Sequence, residues 1–236
     1  MSISKIFERI KSAFRLDTEI DQYFPGCLTE LKVPQLMHNY LEICKILNIK
    51  VELLDLICCG LPAINAGHSD EFLQERRKAQ IAENKVRTIY SSCPSCVFYL
   101  KERNYNSELI LNAIYPKLQS LKKKQLGLKV TFHDPCHMGR YLHEYDLPRN
   151  ILREIGCEVV EMRHSRENSL CCGAGGGLIN NDLKLARKIA EERIKEAKEV
   201  SDILVTACPL CYLHLKSVSD DVKVLEISEL MLSSIK

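Results

Sequence analysis

A chain of 236 residues with 33 basic and 31 acidic side chains carries a formal net charge of +2, too balanced to steer nucleic acid toward it. Its length allows one large domain or two small ones. Lys5, Arg9 and Lys11 interrupt the N-terminal apolar residues, so no secretory leader is read there, and no run approaches the roughly 18 apolar residues of a spanning helix. The expectation is a cytoplasmic protein. Thiols stay reduced in that compartment, so twelve cysteines point to metal or redox chemistry rather than to a disulfide framework.

In chain order, Ile3, Ile6, Phe7, Ile10 and Phe14 share one helical face, which predicts an amphipathic arm over residues 1–20. That arm covers the protein's own sheet or a partner subunit, or it touches a membrane surface, the one route to a peripheral membrane location. Residues 21–120 then read as a strand from Gln22 into Cys27, a helix over Val33–Leu47, a strand over Lys50–Ile57, a turn-rich loop, a charged helix over Asp70–Asn84, a strand over Val86–Tyr90 and a further helix. A Lys-rich, Gly-containing stretch over 116–129 is expected to connect the halves. Residues 121–236 repeat the order, with strands over Lys129–His133, Glu158–Met162, Asp202–Thr206 and Val222–Ile227, and helices over Pro148–Ile155, Asp182–Lys198 and the C-terminus. Strands alternating with helices of this length imply parallel pairing, hence an α/β fold of two tandem, pseudo-symmetric repeats.

Ten of the cysteines fall into two copies of one pattern. The first is Cys27, Cys58-Cys59-Gly60 and Cys93-Pro-Ser-Cys96; the second is Cys136, Cys171-Cys172-Gly173 and Cys208-Pro-Leu-Cys211. Five thiols recurring in one order about 110 residues later mark an internal duplication. Each group follows a predicted strand, and the carboxyl ends of parallel strands share one edge of the sheet, so each set is expected to converge. Five convergent thiols exceed the four that a tetrahedral structural zinc takes, and adjacent Cys-Cys pairs can put two thiolates on one metal centre. Iron–sulfur binding is the first reading; structural zinc in one site is the alternative. The glycines at 60 and 173–177 let backbone amides approach sulfur. A dinucleotide site is not expected, because Gly-x-Gly-x-x-Gly would need glycine where Leu178 stands.

The stretches Tyr-Phe-Pro-Gly-Cys27, Cys-Cys-Gly60-Leu-Pro-Ala, Phe-His-Asp-Pro-Cys136-His-Met-Gly-Arg, Cys-Cys-Gly173-Ala-Gly-Gly-Gly and Thr-Ala-Cys208-Pro resemble the cysteine-rich domain known for its Cys-Cys-Gly signature. That family includes the B and D subunits of heterodisulfide reductase and the C subunit of anaerobic glycerol-3-phosphate dehydrogenase. The resemblance implies a noncubane [4Fe–4S] cluster on Cys27, Cys58, Cys59, Cys93 and Cys96, and another on Cys136, Cys171, Cys172, Cys208 and Cys211. It also implies cleavage of a small thiol disulfide between the two, within a larger complex. His133 and His137 flank Cys136 and are candidate proton donors, as is His68 after the first Cys-Cys-Gly; hydrogen bonding to loop backbone or to cluster sulfur is the alternative for each. Arg140 is expected either to meet an anionic substrate group or to stay solvated. Cys44 and Cys157 read as buried small hydrophobes, and the two charged helices as solvated faces. With no flavin motif and no ferredoxin-type cysteine run in the sequence, electrons are expected from a flavin- or ferredoxin-type subunit. Two other readings are an electron relay from a flavoprotein dehydrogenase to a quinone or membrane partner, and a zinc-stabilised scaffold.

Overall fold

The computed structural model describes residues 19–55 and 58–236; the amphipathic arm expected over 1–20 lies outside the described residues up to position 18. In the first repeat the apolar segments form β1 (Ile20–Phe24), β2 (Glu52–Leu53), β3 (Val86–Ser91) and β4 (Ser107–Leu109), all parallel, in the order β2-β1-β3-β4. In the second, β5 (Lys129–Phe132), β6 (Glu158–Val159), β7 (Ile203–Thr206) and β8 (Lys223–Glu226) pair in the order β6-β5-β7-β8, again parallel. Two tandem α/β repeats with one topology are thus present.

Strand order reverses between β1 and β3, and between β5 and β7, so each repeat has a switch point at which the carboxyl ends of its two central strands open a crevice. Crossovers in the first repeat are α1 (Cys27–Lys32), α2 (Pro34–Ile46), α3 (Leu61–Asn65), α4 (Glu71–Glu83), α5 (Pro94–Lys101) and α6 (Ile110–Ser120). In the second they are α7 (Asp146–Glu154), α8 (Leu178–Asn181), α9 (Leu183–Lys198), α10 (Pro209–Lys216) and α11 (Ile227–Ile235). The helix expected over Val33–Leu47 starts with Pro34 in its first turn, where the missing N–H costs nothing, and buries Leu36, Tyr40, Ile43 and Cys44 at helical spacing.

Three expectations need correction. The stretch 116–129 is not wholly a connection, because α6 runs on to Ser120 through an internal Pro116. Full burial of Ile114 and Leu118 outweighs the proline penalty, and Lys123 closes the helix by donating to the carbonyls of Leu118 and Leu121 at 2.8 and 3.1 Å. Among the described residues the second-position strands are shorter than expected: β2 and β6 are edge strands paired on one side, and Glu52–Leu53 and Glu158–Val159 are the residues that join the ladder, positions 56–57 lying outside the described residues. Finally, β4 goes beyond the expected strands; its Ser-Glu-Leu-Ile110 is the counterpart of Val-Leu-Glu-Ile227, where each edge strand runs straight into a helix.

The repeats share one core. Helix α2 packs on α11, and α6 on α7, so each repeat contributes the same two helices to a central layer between the sheets. Ile43, Ile110, Ile114, Leu118, Ile151, Leu152, Ile227 and Met231 are fully buried in this cluster, each worth about 1.5–3 kcal/mol. Within it Tyr40 donates to Glu226 Oε1 at 2.7 Å, and Asn39 Nδ2 to Ser228 Oγ at 3.4 Å, tying α2 of one repeat to the capped start of α11 in the other.

Candidate metal centres

The first and last cysteine groups of each repeat leave the carboxyl end of a central strand, as expected, whereas Cys171-Cys172 stand well beyond β6, past a 3-10 turn at Arg166–Asn168. Cys27 follows β1 and Cys93 follows β3, on either side of the first switch point; Cys136 and Cys208 stand likewise after β5 and β7. Cys93 and Cys208 hold extended backbone as N-caps of α5 and α10, a conformation that the following prolines impose. Cys96 and Cys211 then fall in the first helical turn, where free amides favour negative charge on sulfur.

In the first set the Sγ atoms of Cys27 and Cys58 lie 3.5 Å apart, and each next thiol is near enough to shift its neighbour's acidity, in the order Cys58, Cys59, Cys96, Cys93. The second set repeats the sequence link for link: Cys136 to Cys171, Cys171 to Cys172, Cys172 to Cys211 and Cys211 to Cys208. All ten are free thiols, half-buried or buried. Cys44 and Cys157 stand apart, buried in the central core as expected.

The leading cysteine of each pair is the acidic one. The thiol of Cys27 donates to Cys58, and with Cys59 and the Gly60 amide it holds Cys58 down to about 2. Cys136, Cys172 and the Gly173 amide, 3.4 Å from Cys171 Sγ, hold Cys171 well below the ordinary thiol range. Cys59, a donor to Cys58 and buried, is pushed up to about 12. Cys93, helped first by Cys96, is also lowered. Each pocket therefore offers thiolate character at the leading cysteine of its Cys-Cys pair, beside thiols such as Cys27 and Cys136 that are raised and that a metal would deprotonate on binding.

The turn at each Cys-Cys-Gly is shaped by its glycine. Gly60 has φ +101°, and a Cβ there would meet Asp70 Oδ2 at 2.7 Å and Arg77 Nη1 at 2.9 Å. Gly173, at φ +86°, would place a Cβ 2.6 Å from the Ala186 carbonyl oxygen. No other residue fits either turn without displacing what supports it.

That support comes from buried arginines which sequence reasoning missed. The charged helices are largely exposed, as expected, yet Arg77 of α4 and Arg193 of α9 are fully buried. Arg77 donates to the Cys58 carbonyl at 2.9 Å and to Asp70 at 2.8 Å. Arg193 donates to His133 Nδ1 at 3.1 Å, the His164 carbonyl at 2.8 Å and Glu196 at 2.5 Å. Arg149, also fully buried, grips Asp134 through two bonds of 2.6 and 2.9 Å and Glu161 through two of 2.6 and 2.8 Å, which fixes the loop carrying Cys136. Of these pairings only Arg193 with Glu196 has a helical spacing, and on a charged helix that spacing reads as a solvated pair.

Of the histidines, His133 is fully buried, and burial pushes its imidazole down to about 3. His137 is half-buried with Nδ1 3.5 Å from Cys136 Sγ, on a turn of π-helix (His137–Tyr141) that the sequence did not announce. His68 is exposed beyond α3. Arg140 stays exposed, the second of its expected courses, and its Nη2 also donates to the Ser169 carbonyl, two residues before Cys171.

The two sets adjoin across the repeat interface. The ring of Phe98, on α5, lies 5.6 Å from that of His137 and 4.8 Å from that of Tyr141, while His137 and Tyr141 stack at 5.0 Å. On the other side α1 touches α10, and a Cβ on Gly177 would lie 3.4 Å from the Asn65 carbonyl oxygen.

A duplicated parallel α/β fold with a five-thiol group at each switch point defines a cysteine-rich class of two-repeat proteins. The chain belongs to the CCG cysteine-rich domain family, whose model matches residues 22–101 and 130–216. It is 32% identical over 225 residues to the B subunit of the fumarate reductase (CoM/CoB) of Methanothermobacter marburgensis, across 89% of this chain and 45% of that protein. It is 32% identical over 223 residues to the D subunit of the dihydromethanophenazine:CoB–CoM heterodisulfide reductase of Methanosarcina acetivorans, across 85% of this chain and 54% of that one. It is also 31% identical over 193 residues to the EtfAB:quinone oxidoreductase of Syntrophomonas wolfei, across 73% of this chain and 26% of the relative. The chain thus spans about half the length of the first two relatives.

Proposed function

We propose that the chain is an iron–sulfur redox subunit in which Cys27, Cys58, Cys59, Cys93 and Cys96 hold one [4Fe–4S] cluster and Cys136, Cys171, Cys172, Cys208 and Cys211 hold a second, both noncubane. One observation carries this: five sulfurs linked in the same order in both repeats, each set at a switch point. The donor set fits, since thiolate sulfur with nearby amide donors is what iron–sulfur clusters take. When bound, such clusters supply single electrons. Residues 21–120 and 121–236 form the two cluster-binding units.

The reaction proposed is two-electron cleavage of a small thiol disulfide, in which RSSR′, two electrons and two protons give RSH and R′SH; the reverse is the oxidation. Electrons come from a partner carrying flavin or a ferredoxin-type cluster, within a larger cytoplasmic complex that is peripheral to the membrane at most. Support comes from the family, from a relative named as part of a heterodisulfide reductase, and from the adjoining position of the two pockets. His137, half-buried beside Cys136, is the better placed imidazole to protonate a leaving thiolate; His133 lies behind the sulfurs. Among the described residues no helix is long and apolar enough to cross a membrane.

A second reading is favoured by the relative named as a quinone oxidoreductase: a subunit that passes electrons from a flavoprotein dehydrogenase to a quinone or membrane partner without acting on a disulfide. Oxygen-free purification separates these. About eight irons per chain supports two four-iron clusters, about four with one zinc supports a zinc-containing relay, and zinc alone removes both redox readings. Loss of dye-driven disulfide reduction in Cys171→Ser supports cleavage at the second cluster; full iron with no disulfide turnover supports the relay.

A further inference from the structure

The two pockets differ at one matched position. Three residues before the leading cysteine stands Phe24 in the first repeat and His133 in the second. Phe24 packs with Cys59 and Cys96 in an apolar cluster. His133, fully buried, has a ring nitrogen within 4.8 Å of the sulfurs of Cys172 and Cys211.

A nitrogen at that distance from two thiols reads at first as a metal ligand. The hydrogen bond from Arg193 argues otherwise. A guanidinium N–H can only donate, so Nδ1, 3.1 Å from Arg193 Nε, presents its lone pair. The neutral ring then carries its proton on Nε2, which has no lone pair left for a metal. Nε2 is buried and has no hydrogen-bond partner among the described residues. A buried N–H left without an acceptor costs about 1–3 kcal/mol, so an acceptor is called for, and the sulfurs of the second set are the electron-rich atoms at hand.

We propose that His133 is a positioning residue rather than a ligand: Arg193 fixes its tautomer, and its Nε2–H donates to sulfur of the second set, so that the second cluster has the higher reduction potential of the two. The inference rests on both sets holding iron–sulfur clusters. Reduction adds negative charge to the cluster, and a donor aimed at sulfur stabilises that charge, whereas the Phe24 ring in the first pocket offers none. The neighbouring charges are Arg77 and Arg103, which share Asp70 near the first set, and Arg193, paired with Glu196 near the second. A change at position 133 leaves these pairs in place, so it isolates the donor's share of the difference. The first electron to enter the oxidised protein accordingly rests on the second cluster, which gives electron flow a direction through a nearly symmetric fold.

The test is a potentiometric titration, followed by electron paramagnetic resonance, of the iron-loaded full chain, its H133F and H133Q variants, and C58S and C171S to assign each signal. Expected are two separate midpoint potentials with the second site higher, a fall of the higher one toward the lower in H133F, and its retention in H133Q, whose amide can both accept from Arg193 and donate to sulfur. Full iron in the wild type, H133F and H133Q with unmoved potentials overturns the inference and leaves the cluster assignment standing. Loss of the second site's iron in H133F, with retention elsewhere, also overturns it, since that is how a ligand behaves. Failure of the wild-type chain to bind iron sinks the cluster reading itself. Should H133F not fold, pulsed resonance on the wild-type protein with labelled histidine decides. An exchangeable imidazole proton coupling supports the donor, and a large directly bonded nitrogen coupling overturns it.

Discussion

The ring of Phe98, two residues after Cys96, packs 5.6 Å from the imidazole of His137, the residue after Cys136. A residue of the first cysteine helix thereby touches the loop of the second cysteine set, and this contact brings two pockets from separate sheets to one place. It also ties α5 to the π-helical turn through Tyr141.

Phe98→Ala removes two ring contacts, each worth about 0.5–1.5 kcal/mol. Denaturant unfolding should show a loss of roughly 1–3 kcal/mol, with the iron content of anaerobically prepared protein unchanged. Iron loss from both sites would show that Phe98 shapes the pockets directly.

The two cysteines outside the sets provide a control for those within. Cys44→Ser leaves iron content as in the wild type, because Cys44 is buried in the central core. Cys58→Ser removes a sulfur of the first pocket held well below the ordinary thiol range, and the iron per chain should fall by about half. Equal iron in the two variants would contradict the assignment of the first set.

Gly60→Ala combines a left-handed backbone with a Cβ driven against the Asp70–Arg77 pair. The expected cost is about 2–4 kcal/mol, with weaker iron retention at the first site. Gly67→Ala shares the backbone strain at φ +81° but meets nothing within 4 Å, so it should cost only about 1–2 kcal/mol and leave iron unaffected.

Arg149→Met leaves the buried Asp134 carboxylate without its counter-charge, which typically costs about 3–5 kcal/mol. Because Asp134 precedes Cys136 by two positions, thermal unfolding should fall sharply, and the second site should lose metal before the first. Selective loss at the first site would refute the anchoring role.

Glu226 makes the repeat interface sensitive to pH. Burial raises its carboxyl to about 7 from 4.5, against opposing hydrogen bonds from Ser228 and Tyr40. The folded state therefore prefers the protonated acid: its contribution is fully present below pH 4.5, falls as pH rises toward about 7, and is flat above that. At roughly 1.4 kcal/mol per pKa unit the loss is about 3 kcal/mol. Unfolding free energies measured across this range should decline in the wild type relative to Glu226→Gln; parallel curves would refute it.

The sequence by itself determined the repeat, the parallel α/β class and the ten sulfur positions, because these are written in local signals. Strand and helix periods are short-range, the Cys-Cys-Gly and Cys-Pro-x-Cys turns carry their own backbone preferences, and duplication displays each signal twice. Edge-strand length, the run of α6 through Pro116 and the π-helical turn were decided by tertiary packing, as burial of Leu118 or Tyr145 against Gly139 outweighs local propensity. So too were the buried arginines. Arg77 and Arg193 stand in helices whose composition reads as solvated, and what buries them is a carboxylate, a carbonyl or an imidazole that only the folded chain brings within reach. The matched pair Phe24 and His133 belongs to both: its positions are legible in the repeat, but the unpartnered Nε2–H that distinguishes the two pockets exists only once Arg193 has closed on Nδ1.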